Sequence, residues 1–216
     1  MNNKNKIILD LCGGTGAWSR PYKEAGYDVR VITWPEYDVR NTRFNYNDEL
    51  CLIRGKKGNI NYTRISYKYI YGILAAPPCT MFSLARTRAK KPRNFTEGME
   101  VVRACLDIIW SVRQKHKLAF WALENPMGYL RQFLGKPPLT FNPCDYGDPY
   151  TKKTDLWGYY NEPKKKPVKL DADTIARLKI NNRKLPSISD FTGSKQAARR
   201  AITPKGFADA FFKANG

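Results

Sequence analysis

Two short stretches carry residue types that can do covalent chemistry. Pro77-Pro78-Cys79-Thr80-Met81-Phe82-Ser83 sets a cysteine after two prolines, beyond the apolar run 71–76. Glu124-Asn125-Pro126 sets an acidic residue at the end of a second apolar run, 118–123. Apolar runs of this length bounded by proline read as buried strands, so a thiol and a carboxyl are expected at two strand ends. A thiolate is a strong nucleophile, and a carboxylic acid of raised pKa in a partly dry pocket can protonate what the thiolate attacks. The pair suits attack on an electron-poor pyrimidine. Sulfur adds to C6 of a cytosine, Glu124 protonates N3 with Asn125 fixing its loop or contacting the base, and C5 becomes nucleophilic. Arg86, Arg88, Lys90 and Lys91 lie close to Cys79 in the chain and are expected to favour its ionisation. The alternative for Cys79 is a buried structural cysteine, the role expected of Cys12, Cys51, Cys105 and Cys144.

The elements that would position this pair alternate in type. Strands are expected at 7–11, 28–33, 69–75 and 118–123, with helices at 19–25 and 97–113. In the second helix Val101, Cys105, Ile108, Ile109 and Val112 share a face. Such alternation, with continuous apolar strands, predicts an α/β fold built on a mostly parallel, doubly wound sheet. Ligands of these sheets bind beyond the carboxyl ends of the strands, where the pair falls. Between residues 41 and 68 the pattern is polar, aromatic and basic, and a helix is expected near 48–54. Residues 159–200 form a basic, loop-rich segment with one helix at about 172–179, capped by Asp171 or Asp173, and 201–216 a C-terminal helix that follows Thr203-Pro204. The catalytic core is thus expected within 1–158.

After the first strand comes Asp10-Leu11-Cys12-Gly13-Gly14-Thr15-Gly16. Its spacing is neither Gly-x-Gly-x-x-Gly nor a P-loop. An acidic residue ahead of a Gly-x-Gly turn suits a ligand that carries an ammonium and a carboxylate; a plain strand-to-helix turn is the alternative. Trp34 follows the second strand, with Glu36 and Asp38 just beyond it. An indole can stack on adenine and a carboxylate can accept from ribose hydroxyls, which together describe S-adenosylmethionine. Core or lid packing is the alternative for Trp34.

Lysine and arginine number 38 against 19 aspartates and glutamates in 216 residues, a net charge of +19. This excess is the footprint of a polyanion-binding protein. The five cysteines form no Cys-x-x-Cys pair, which argues against a disulfide framework or a zinc site and for a reducing compartment. No run of 18 apolar residues exists, and the first apolar segment is too short for a signal-peptide core, so a cytoplasmic setting is expected. The single histidine, His116, lies in a charged stretch and reads as a solvated position.

The motifs together resemble those of the DNA (cytosine-5) methyltransferases, in the compact phage and bacterial form. The loop at 77–83 resembles the family's Pro-Cys-x-x-Phe-Ser nucleophile loop, and Glu124-Asn125-Pro126 its Glu-Asn-Val motif. Asp10–Gly16 matches its Asp-Leu-Phe-x-Gly-x-Gly cofactor loop with Cys12 for phenylalanine, Asp38-Val39 its adenine-contacting motif and Trp34 its stacking aromatic. Ala201-Ile202-Thr203-Pro204-Lys205-Gly206-Phe207 resembles an altered form of the motif that closes the cofactor pocket. The resemblance implies a Rossmann-like fold, with Asp10, Cys12, Gly13, Gly14, Thr15, Gly16, Trp34, Glu36, Asp38, Val39 and Pro77 toward S-adenosylmethionine. It implies Cys79, Glu124 and Asn125 in catalysis and Ser83, Arg86, Lys152 and Thr154 toward a DNA base, with no metal. Two departures stand out. The family's Gln-x-Arg-x-Arg motif aligns with Tyr150-Thr151-Lys152-Lys153-Thr154, without either arginine, so Lys152 or Thr154 takes their place. The segment 159–200 is also far shorter than the family's target-recognition domain. Relaxed specificity is then expected, with Lys152, Lys153, Lys164, Lys165, Lys166, Arg199 and Arg200 on phosphates. The same chemistry on RNA or a free nucleotide, and a silent binding module of the same fold, are the alternatives.

Overall fold

Two runs that are buried at nearly every position, Ile7–Leu11 (β1) and Ile70–Ala75 (β6), are the central strands of a six-stranded sheet. The computed structural model describes residues 3–45, 47–54, 61–84, 86, 91–178, 184–190 and 200–216. The remaining strands are β2 (Asp28–Ile32), β7 (Phe120–Pro126), β8 (Leu139–Phe141) and β9 (Thr154–Tyr159), in the order β2-β1-β6-β7-β9-β8. The β2, β1, β6 and β7 ladders are parallel, whereas β9 runs antiparallel to both β7 and β8. The fold is therefore α/β with a mostly parallel sheet. After β1 the chain goes to β2 on one side and returns to β6 on the other. This leaves a topological switch point between the carboxyl ends of β1 and β6.

Strand residues alternate between two cores because successive side chains point to opposite faces. Leu9, Leu11, Ile73, Ala75 and Leu123 meet Val102, Cys105, Ile108, Ile109 and Val112 of α2 (Phe95–Lys115), whose Asn94 caps Glu97 N. Ile8, Leu74, Phe120 and Ala122 face α1 (Arg20–Glu24) and the C-terminal helix. That helix is Lys205–Asn215; Phe207 and Phe211, fully buried, pack on Trp18, and Phe207 stacks on Phe141. Burial of each such ring is worth roughly 1.5–3 kcal/mol, enough to fasten the chain's end to the sheet. Two short helices, Arg131–Leu134 (α3) and Ala172–Leu178 (α4, its Thr174 N bonded to Asp171), complete the helices that matter here; the C-terminal one is α5.

The helix expected near 48–54 is a strand. Arg43–Asn45 (β3), Glu49–Arg54 (β4) and Asn61–Ser66 (β5) form a separate antiparallel sheet. Leu50 and Leu52 of β4 and Ile65 of β5 turn inward onto the α2 core, a period of two that overrides any helical tendency. His116 is the C-cap of α2, its backbone N–H bonded to Val112 O and its side chain partly exposed between the exposed Lys115 and Lys117.

Candidate active site

Cys79 follows the end of β6. Ala76 N–H donates to Leu11 O across the switch point, Pro77 is buried, and the Cys79 carbonyl accepts from Phe82 N (2.9 Å) and Ser83 N (2.8 Å) in a tight turn. Phe82, fully buried, anchors that turn against Phe95 and Phe133. Two further contacts hold it. Arg93 donates to Met81 O and Ser83 O, both at 2.9 Å, and its guanidinium lies over the Tyr129 ring. Tyr129 N donates to Phe82 O, beside the Ser83–Gly128 bridge; at Gly128 a Cβ would run into that carbonyl, so only glycine lets the two loops touch.

Strand β7 carries Glu124 and Asn125 past its parallel ladder with β6 and into its antiparallel one with β9, where Glu124 stands opposite Leu156 and Asn125 opposite Asp155. Asn125, fully buried, donates from Nδ2 to Pro77 O (2.9 Å), tying the acid's strand to the thiol's loop. Lys152 Nζ lies 3.6 Å from Glu124 Oε1, with both side chains about nine-tenths covered. Thr154 is buried and its hydroxyl donates to Lys152 O, so that proton is committed to the loop carrying the lysine.

Burial, then the charge of Glu124, pushes the Cys79 thiol above its ordinary value, while Lys152 pulls it down. The cation that bears on the thiol is thus distant in the chain, and not the neighbouring Arg86 or Lys91; Arg88 and Lys90 lie outside the described residues. Glu124→Gln should therefore move the alkylation profile of Cys79 by iodoacetamide to lower pH, and Lys152→Met to higher pH. Identical profiles in the three proteins would show that the groups do not share a pocket.

The glycine turn sits on the other side of the switch point. Gly14 and Thr15 are exposed, Gly14 N–H bonds Thr33 Oγ1 (3.2 Å), and Gly14 and Gly16 have positive φ, as does Cys12. Asp10 does not face outward as a partner for an ammonium would. It is fully buried beneath Gly13, where a Cβ would collide with its carboxylate, and Ser19 Oγ donates to Oδ2 at 2.5 Å. Desolvation raises its pKa to about 6, against the ordinary 3.8. The folded protein then keeps a proton between about pH 4 and 6 that the unfolded chain has lost. This group's contribution is complete below the unfolded pKa and is lost as pH rises through the folded one, on the order of 3 kcal/mol. Subtracting the Asp10→Asn denaturation curve from that of the unaltered protein should isolate this fall. A flat difference between pH 4 and 6 would contradict the buried, proton-holding carboxyl.

Of the other residues expected near the cofactor, Trp34 is 70% exposed and Glu36 is exposed, while Val39 is buried in the α2 core. Asp38 is held by Arg40, whose guanidinium and backbone N–H it accepts and which keeps its carboxyl below the usual range. A cleft of about 390 Å3 opens between Ala17 and Arg20 on one side and Ile202–Lys205 on the other, with Tyr150 in its lining. Sequence reasoning missed Arg93, Ser19 and the Arg131–Asp155 pair described below, because none has a motif neighbour in the chain.

A glycine turn after β1, a thiol–carboxyl–ammonium cluster after β6 and β7, and a switch point between them define a Rossmann-like fold of the methyltransferase kind. The chain matches no protein-family model. Over 170 residues, 68% of its length, it is 25% identical to the type II methyltransferase M.DdeI of Desulfomicrobium norvegicum, and it spans 38% of that protein. This similarity relates the chain to methyltransferases. Among the described residues no helix is long and apolar enough to cross a membrane.

Proposed function

We propose that the chain is an S-adenosylmethionine-dependent enzyme that methylates C5 of cytosine in DNA, with Cys79 as nucleophile. The observation that carries this reading is the cluster of Cys79, Glu124 and Lys152 at the carboxyl ends of β6 and β7. Cys79 Sγ adds to C6 as a thiolate while Glu124 delivers a proton to N3, so that no charge accumulates on the ring. The Lys152 ammonium favours the thiolate, holds the Glu124 carboxyl in place, and is the group we assign to O2 of the base. Asn125 fixes Glu124 against the Pro77–Cys79 loop. Ser83 and Arg86, on the same loop, are assigned to the base and its phosphate. The exposed glycine turn with Trp34, Glu36, Asp38 and Pro77 would hold S-adenosylmethionine, which when bound would supply an electrophilic methyl group for C5, while buried Asp10 and Val39 support the turn and the strand end from beneath. A base then takes the C5 proton, the C5–C6 double bond re-forms, and Cys79 leaves C6 as the thiolate. A duplex cytosine must leave the stack to reach the half-buried thiol.

The +19 charge supplies the grip on phosphates that a short 159–200 segment requires. Lys153 and Lys164–Lys166 are exposed for that role, with Lys165 near Asp145, Arg200 is half-buried, and Arg199 lies outside the described residues. The test is transfer of a labelled methyl group from S-adenosylmethionine to DNA, tRNA and dCTP in parallel, followed by sequencing that reads 5-methylcytosine. Label on C5 of DNA cytosines is expected; label confined to RNA, to dCTP or to an exocyclic amine would overturn the proposal.

A further inference from the structure

At the end of the sheet opposite the site, the strands begin in a surface that is both cationic and aromatic. Two clefts, of about 550 and 280 Å3, meet at His116–Leu118. One is lined by Arg113, Lys117, Trp121 and Tyr159, the other by Lys6, Lys68 and Tyr69. Trp110 of α2 is 47% exposed, and its ring lies 6.2 Å from that of Trp121 on β7. Tyr159 of β9, 61% exposed, stands directly opposite Trp121 in the antiparallel ladder, which continues the row of rings. The Arg113 guanidinium lies 4.7 Å over Trp110 and the Lys68 ammonium 4.8 Å over Tyr69. The acidic residues of these elements are already engaged: Asp48 pairs with Lys115 and Asp107 with Arg103. Among the described residues no carboxylate lies within 4 Å of the Arg113, Lys117 or Lys68 cations.

We propose that this tract is a docking surface for single-stranded DNA, an inference that rests on the DNA reading of the site. From Lys6 beside β1 to Tyr159 on β9 it crosses three strand spacings, about 14 Å, room for about two or three phosphates of an unstacked strand. Exposed rings take bases only when these are unstacked, and cations beside them take the phosphates between. A duplex offers no free base faces, so the row of rings selects the unpaired strand. Together with a site that needs its base outside the stack, the surface fits a protein that keeps hold of a locally opened substrate.

The test is binding of labelled oligo-dT and of a duplex to the full chain and to Trp110→Ala, Tyr159→Ala and Lys117→Gln, all exposed positions whose folding is checked by thermal melts. Each ring substitution should weaken oligo-dT binding about tenfold and leave duplex binding within about twofold. Lys117→Gln should reduce the slope of log K against log salt by about 0.7. The proposal is overturned if the unaltered chain ignores oligo-dT, if the ring variants bind it normally, or if duplex binding falls equally. It is also overturned if Trp110→Ala merely breaks an oligomer apart, which would make the face a contact between copies. Oligo-dT holds no cytosine and needs no cofactor. Ring-dependent binding without any methyl transfer would therefore sink the functional reading alone, and methyl transfer with ring-independent binding the docking surface alone.

Discussion

Cys79→Ser should abolish the covalent complex with 5-fluorocytosine DNA and lower methyl transfer by roughly four orders of magnitude or more. The substitution is nearly isosteric, and the loop does not depend on the side chain: it is the Cys79 carbonyl that accepts from Phe82 and Ser83. Arg93, Phe82 and Gly128 hold the rest of the turn, so the variant should fold and bind DNA as the unaltered chain does. What it lacks is an ionisable nucleophile. A thiol, even one pushed up by burial and by Glu124, reaches its thiolate in the presence of the Lys152 ammonium, whereas a serine hydroxyl is far too weak an acid to ionise beside the same carboxylate and ammonium. Fluorine at C5 blocks the final elimination, so any chain that adds sulfur to C6 accumulates the adduct. Trapping by Cys79→Ser at the normal rate would remove Cys79 from the mechanism, and Cys12, whose Sγ lies 4.0 Å from Cys105, would be the next thiol to test.

The strands that carry the site were legible because they are buried on both faces. Ile7–Leu11 and Ile70–Ala75 are apolar at nearly every position, a pattern that periodicity reads well. Glu49–Arg54 was not. Six residues with a continuous run of four apolar ones satisfy a helix turn as readily as a strand, and only pairing with Asn61–Ser66 decides the matter. The site shows the same division. Cys79, Glu124 and the glycine turn announce themselves by motif, but the field around the thiol does not follow chain proximity. Arg86 and Lys91 are neighbours in sequence, whereas Lys152 reaches Glu124 only because β9 runs antiparallel to β7 and brings the preceding loop back to it. Asp10 illustrates the converse: its place before Gly13 suggested a ligand contact, and its position on the α1 face of β1 puts it under the turn instead.

The largest loss of stability is expected from Arg131→Met, at about 3 kcal/mol, or some 6–12 °C in Tm for a chain of this size. Asp155 is fully buried between β7 and β8, and Arg131 of α3 grips it with two bonds of 2.6 Å while Thr140 donates a third at 2.8 Å. Removing Arg131 strands that carboxylate in the sheet with one hydroxyl for a partner. Asp155→Leu leaves the cation instead, and its side chain is 35% exposed, so water can reach it; this variant should lose less. The double variant Arg131→Met, Asp155→Leu should recover most of the loss, because an apolar pair of similar volume has no charge to desolvate. Urea denaturation of the three variants checks the order. Equal losses in both single variants with additive loss in the double would mean that packing volume, not charge pairing, is what matters. The adduct rate supplies the link to the site. Arg131 follows the 127–130 loop, whose Tyr129 and Gly128 bind the Cys79 turn. Loosening α3 should therefore slow trapping on 5-fluorocytosine DNA under conditions where Arg131→Met is still fully folded, and restoring the packing in the double variant should restore the rate along with the stability.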